Sequence, residues 1–147
     1  MKAISIRQPW ATLVALGEKQ YETRSWRTKY RGQLGIHSSQ TMDKAVCKYE
    51  PVRSLLAKHG YTAQNLPTGF VIATCRLVDC NKVIDNHGTS ATLDDGSVVS
   101  GNEFMLGNFG VGRFAWRVRD VEMLEQFIPA KGKLGLWELG EISDYKL

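Results

Sequence analysis

Alternating apolar and polar residues at the start of the chain predict a strand, a short helix and a second strand. Residues 3–7 alternate with the two-residue period of a half-buried strand. Pro9 follows at a position that a helix start tolerates, and apolar residues then recur at helical spacing as far as Gly17. Gly17 can end a helix with a left-handed backbone. Residues 20–26 contain β-favouring side chains, so we expect a strand there.

The middle of the chain predicts two further strands separated by a helical region. Residues 32–38 alternate, and residues 70–78 form an unbroken apolar and β-branched run. Between them, residues 39–59 have helical spacing that Pro51 divides into two helices, the second of which ends at Gly60. We therefore expect a half-buried strand, two short helices and a central strand, in that order.

The second half of the chain is rich in glycine and contains no further helical pattern. Residues 80–112 contain six glycines among Asn and Asp residues. A loop of this length is typical of a lid or binding loop, or contains a short hairpin, and residues 94–96 have the composition of a hairpin tip. Alternation resumes over residues 113–119, and residues 134–139 predict a final strand.

This order of elements favours an α+β fold around a curled or closed sheet. A doubly wound parallel fold would need regular alternation of strands and helices, which the second half does not have. A length of 147 residues suits one domain. No apolar run is long enough to cross a membrane, and Arg7, Gln8 and Pro9 interrupt the apolar segment that a signal peptide requires, so we expect a cytoplasmic protein.

The positive charge is concentrated at the start of the chain. Residues 1–31 contain seven Lys and Arg residues against two Glu residues, whereas the formal net charge of the whole chain is +4. A localised basic region is what a polyanionic or phosphate-bearing ligand requires. A solvated basic surface without a ligand is the alternative explanation.

The three cysteines favour neither a disulfide framework nor a metal site. Cys47, Cys75 and Cys80 are odd in number and lie far from any paired histidines, so buried free thiols are the preferred interpretation. A redox pair of Cys75 and Cys80 is a weaker alternative, because the spacing is not CxxC. We expect neither a metal nor a cofactor.

Charged residues converge at the second predicted strand. Glu22 and Arg24 share one face of a strand, and Lys19 stands at its start, just after the helix end. Charges on the concave side of a sheet must be paired or used, since an unpaired buried charge costs several kcal/mol. Glu22 could orient Arg24, leaving Arg24 and Lys19 to face an anion or a base edge. An ordinary ion pair on a surface strand is the alternative.

The same residues resemble a known family. Gly17, Lys19, Glu22 and Arg24 fit the GxKxxExR motif of the ASCH family, and the preceding SIRQPWA resembles the strand-to-helix segment of its longer bacterial and phage members. The late FIPAKGKLGLWEL resembles the closing strands of such a domain. The resemblance implies a PUA-like small β-barrel with flanking helices, formed as a single domain by residues 1–147.

The resemblance also implies a cleft that receives RNA or a nucleotide-like ligand. Arg7 and Gln8 would lie beside the motif, and Trp26, on the predicted face of Glu22 and Arg24, could stack on a base. Trp10 is more simply explained by core packing. The predicted ligand-binding residues are Arg7, Gln8, Gly17, Lys19, Glu22, Arg24, Trp26 and His37.

A small hydrolase is the alternative function for the same cleft. Small relatives resemble amidohydrolases that use a lysine at the Lys19 position, a threonine three residues later and a distant glutamate. Here the threonine is replaced by Glu22, which cannot take over the role of a hydroxyl. Glu22 as general base with Lys19 stabilising an oxyanion would be a different arrangement. A ribonuclease with His37 as acid or base is also conceivable.

Overall fold

A mixed β-sheet and three short helices form the body of the protein. The computed structural model describes residues 1–145. The strands, β1 to β8 in chain order, are Lys2–Gln8, Tyr21–Arg24, Gly32–Met42, Phe70–Asn86, Ser90–Leu93, Val98–Ser100, Phe114–Pro129 and Leu136–Glu138. The helices, α1 to α3, are Trp10–Ala15, Val52–Ala57 and Gly101–Met105. Two short 3-10 turns cover Val46–Lys48 and Ile142–Tyr145.

The sheet is curled, and its hydrogen-bonded path is open at both ends. Its order is β2-β7-β4-β3-β1-β8, with β5 and β6 as a hairpin attached to β4. Only the β1–β3 pair is parallel among the pairings of residues 1–145. The long strands β4 and β7 shift register three times along their pairing, and such bulges bend a sheet. The expected α+β class is confirmed, whereas the hydrogen bonds within residues 1–145 do not close the barrel.

The main core lies between the concave face of this sheet and α1. Alternate apolar residues of β1 and β3 pack there with Trp116 of β7, which is fully buried. A second cluster joins α1 to α2, and a third lies under the β5–β6 hairpin. Helix α1 therefore rests on the sheet beside the start of β2, where the charged residues of the motif are found.

The region after β3 differs from the prediction. The prediction of a first helix before Pro51 is wrong: β3 continues to Met42, and only a 3-10 turn follows. The strand continues because β1 offers its backbone as a partner, with Gln8 opposite Met42. A sheet partner thus overrides the helical spacing of the side chains. The second helix, α2, is confirmed, and Gly60 ends it with φ of +82°.

The long glycine-rich region contains more structure than a loop. β4 runs on to Asn86, and β5 and β6 form the hairpin that residues 94–96 suggested, with Gly96 at φ +87°. Helix α3 follows directly. In residues 1–145, no helix has the length and apolar character that crossing a membrane requires.

Candidate functional site

The end of helix α1 directs Lys19 towards the interior. Gly17 takes φ of +77°, a left-handed conformation that favours glycine, as expected from the sequence. The chain changes direction at Gly17, and the carbonyl of Leu13 then accepts hydrogen bonds from the backbone amides of Glu18 (3.0 Å) and Lys19 (3.1 Å). The Lys19 side chain is consequently only 2% exposed.

Three charged side chains meet next to this helix end. The Lys19 ammonium donates to the carbonyl of Tyr21 and lies 3.6 Å from Oε1 of Glu22. On the other side, Nε of Arg24 donates to Oε2 of Glu22 at 3.1 Å. Nη2 of Arg24 also donates to the carbonyl of Ser5 at 2.8 Å. Glu22 is therefore held between two cations, and the Arg24 guanidinium is fixed from two sides.

These side chains border a cavity of about 660 Å³, which we call the motif cavity. It is open on one side and is bounded by β1, β2, the end of α3 and the loop before β7. Its lining residues are Ser5, Ile6, Arg7, Trp10, Lys19, Glu22, Thr23, Arg24, Ser25, Trp26, Met105, Leu106, Gly107, Asn108 and Arg113. Four of these side chains are basic and one is acidic, so the cavity carries a formal positive charge.

Two tryptophans add apolar surface to the motif cavity. Strand β2 ends at Arg24, so Trp26 does not share the strand face of Glu22 as predicted. Trp26 lines the cavity nonetheless, because its ring packs edge-on against Trp116 with centroids 4.7 Å apart. It stays 36% exposed. Trp10 packs against the core, as expected, and also lines the cavity.

Arg7 lies at the motif cavity, whereas the neighbouring Gln8 does not line it. Arg7 is exposed and belongs to the lining. Gln8 is fully buried: its Oε1 accepts from the Thr12 amide, and its Nε2 donates to Thr12 Oγ1 and to the carbonyl of Pro67. These hydrogen bonds hold the Gln8 side chain in the interior, away from the cavity. Gly17 also lies outside the lining, where it shapes the helix end.

His37 is buried away from the motif cavity. Its register with β1 is unbroken, with Ser5 opposite His37, and the segment that carries Ala130 and Trp137 covers this part of β3. Its ring is 2% exposed and lies edge-on to Trp137. Nε2 donates to the carbonyl of Ala130 at 2.7 Å, and Nδ1 forms a hydrogen bond with the Ser5 hydroxyl at 3.0 Å. Both ring nitrogens are thus engaged, and the structure supports a packing role.

The residues on the far side of the motif cavity were not predicted from the sequence. Met105, Asn108 and Arg113 are more than 80 residues from the motif and belong to no recognisable pattern. The only available signal was the length of the glycine-rich region, which suggested a lid or binding loop without naming its residues.

A comparison with family models gives the relationship of the chain. Residues 4–101, about two thirds of the sequence, match the model of the ASCH domain. The chain belongs to the ASCH domain family. ASCH domains are PUA-like, and the α+β fold with its curled sheet agrees with that assignment. The match includes the whole GxKxxExR motif, while α3 after Gly101, β7 and β8 lie beyond it.

Two relatives share part of this ASCH domain. The chain is similar to activating signal cointegrator 1 of Homo sapiens and of Mus musculus, at 34% identity over 83 residues in each case. The similar stretch covers 52% of this chain and 14% of each relative. The ASCH domain protein described here therefore spans only a small part of their length.

Proposed function

We propose that this ASCH domain protein binds RNA or a nucleotide-like ligand in the motif cavity. The observation that carries the proposal is the fixed guanidinium of Arg24. Glu22 and the carbonyl of Ser5 hold it in one orientation, yet its side chain remains 24% exposed at the cavity. A planar, pre-oriented guanidinium is suited to bidentate contact with a phosphate or a base edge.

The hydrogen-bond inventory of Arg24 leaves donors for a ligand. Nε and Nη2 are engaged, whereas Nη1 has no protein hydrogen bond within the described residues. Arg7 and Arg113 lie at the same cavity and add positive charge around it. Such a field attracts anions and raises their local concentration.

The apolar lining supports a base as well as a phosphate. Trp26 presents a partly exposed indole, and Met105 is 61% exposed at the same cavity. Stacking a base on an aromatic side chain contributes about 1–3 kcal/mol. The ASCH family is generally RNA-binding, which agrees with a ligand that has both a base and a phosphate.

The geometry favours binding over the hydrolase alternative. A catalytic Lys19 would have to reach the substrate, but its side chain is 2% exposed and its ammonium is occupied by Tyr21 and Glu22. Both oxygens of Glu22 already face cations. Incubation with acylated nucleosides and with RNA tests the alternative. The hydrolase alternative would be supported if the parent formed product and Lys19→Ala did not.

Fluorescence anisotropy with labelled single-stranded RNA at low salt tests the binding proposal directly. We expect Arg24→Ala to weaken binding at least about tenfold, since a charge-assisted hydrogen bond contributes about 1.5–3 kcal/mol. Arg53→Ala is the matched control, because Arg53 is exposed, pairs with one glutamate and lies outside the motif cavity. Equal affinities for the parent and Arg24→Ala, or no binding of RNA and mononucleotides by the parent, would refute the proposal.

A further inference from the structure

One edge of strand β2 is covered by residues 101–113, which we call the wall segment. Within residues 1–145, β2 pairs with β7 alone, so its other edge has no strand partner. The wall segment comprises α3 and the loop that precedes β7. It lies against this free edge and also supplies the far side of the motif cavity.

Glu103 attaches the wall segment to the start of β2. Its Oε1 accepts a hydrogen bond from the backbone amide of Gln20 at 2.8 Å, and its Oε2 accepts from that of Tyr21 at 3.2 Å. One carboxylate thus satisfies two consecutive backbone donors. Hydrogen bonds to an ionised acceptor are about twice as strong as neutral ones.

A second attachment lies at Thr23. Its hydroxyl accepts from the Asn108 amide at 3.1 Å, and its carbonyl accepts from Nη2 of Arg113 at 3.3 Å. Nε of Arg113 also donates to the carbonyl of Asn108 at 3.1 Å, which holds the loop together. The strand that carries Glu22 and Arg24 is therefore held by the wall segment at both ends.

Both the contacts to β2 and the buried residues Leu106 and Phe109 hold the wall segment in position. Helix α3 has five residues, too few to be stable in isolation. Phe104 stacks on Phe109 of the same segment with ring centroids 5.9 Å apart, and Phe109 is buried in the cluster under the β5–β6 hairpin. Glu103 itself does not line the motif cavity. Any effect of Glu103 on a ligand in that cavity must therefore act through the residues it positions.

We propose that the wall segment restricts the motif cavity to single-stranded RNA, and that Glu103 is the positioning residue that keeps it closed on this side. The inference rests on the proposed function. A cavity of about 660 Å³ is of the size that encloses one small ligand. An unpaired base can enter such a space, whereas the bases of an A-form duplex are stacked and the helix is recognised from outside by its shape.

The test compares the affinities of a single-stranded RNA and a hairpin duplex of equal nucleotide number. The proteins are the parent, Glu103→Ala, Glu103→Gln and the control Glu125→Ala, which alters an exposed position of β7. We expect the parent and the control to prefer the single strand by about tenfold. Glu103→Ala should reduce that preference several-fold, because the wall segment loses one of its two attachments to β2. Glu103→Gln keeps one acceptor oxygen and should lie between them.

Amide hydrogen exchange on the same four proteins reports the attachment independently of RNA. We expect faster exchange at Gln20 and Tyr21 in Glu103→Ala, with the rest of the sheet unchanged. A variant that only lost stability would bind both RNAs more weakly by the same factor and keep the preference. An unchanged preference despite faster exchange would overturn this inference while leaving the proposed function intact. A parent that binds neither RNA would overturn both.

Discussion

Lys19 and Glu22 form an ion pair at the floor of the motif cavity, with the ammonium 3.6 Å from Oε1 and side-chain exposures of 2% and 13%. The pair joins the end of helix α1 to strand β2. Glu22 also binds Arg24, so a change at Lys19 affects the orientation of the Arg24 guanidinium, which we propose contacts the ligand.

Removing the buried cation should destabilise the protein markedly. Lys19→Met keeps the aliphatic volume but leaves the Tyr21 carbonyl and one face of Glu22 without their partner. Breaking one side of a buried ion pair costs about 3–5 kcal/mol, and we expect the lower end because Arg24 still pairs with Glu22. Urea unfolding gives the free energy of unfolding.

Lys58→Met is the matched control for that measurement. Lys58 is 63% exposed and pairs with Glu18, so its loss should cost less than about 1 kcal/mol. Equal losses in the two variants would contradict a buried structural role for Lys19.

Local patterns predicted most elements of the fold but few of their ends. The strand and helix that lead to Gly17 were predictable because burial, helical spacing and a left-handed glycine agree there. The extension of β3 to Met42 and of β4 to Asn86 depends on partner strands that are distant in sequence. Single-sequence periodicity contains no information about such partners.

The site was predictable to the extent that it lies on one short stretch. Lys19, Glu22 and Arg24 are within six residues of each other, so strand geometry relates them directly. Gln8 and His37 were misplaced because hydrogen bonds hold Gln8 in the interior and because a segment distant in sequence, with Ala130 and Trp137, covers His37. Arg113 was missed because a loop distant in sequence brings it to the cavity.

The salt dependence of RNA binding should identify Arg7 as a phosphate contact. Arg7 is exposed at the motif cavity, where a long side chain can reach the backbone of a bound strand. For single strands, each neutralised phosphate contributes about −0.7 to the slope of log K against log salt. Arg7→Ala should therefore make the slope shallower by about 0.7. Arg53→Ala should leave it unchanged, and the proposed contact fails if the Arg7→Ala slope equals that of the parent.

Cys75 should be unreactive in the folded protein. Its side chain is 2% exposed between the strands, and burial raises the pKa of its thiol to about 12. Alkylation requires the thiolate, which is therefore scarce at mildly alkaline pH. Iodoacetamide labelling followed by mass spectrometry should modify Cys75 only after denaturation in guanidinium chloride. Rapid labelling of the native protein at this position would show that the strands around it open readily.

Glu18 should make the stability depend on pH in the acid range. Hydrogen bonds from His59 (2.9 Å) and Lys58 (2.8 Å) lower the pKa of its carboxyl below the ordinary value of 4.5. A lowered pKa in the folded state means that the stabilisation is fully present above pH 4.5 and is lost as the pH falls through the folded value. Glu18→Gln should therefore be less stable than the parent at neutral pH, by up to about 1 kcal/mol.

The difference in the free energy of unfolding between the parent and Glu18→Gln should shrink towards zero as the pH falls below 4.5. Urea unfolding at a series of pH values measures it. Glu125→Gln, at an exposed strand position, controls for the loss of a charge. A stability difference for Glu18→Gln that stays constant from neutral to acid pH would show that its hydrogen bonds do not depend on ionisation. In that case the contacts with Lys58 and His59 would not account for the pKa of Glu18.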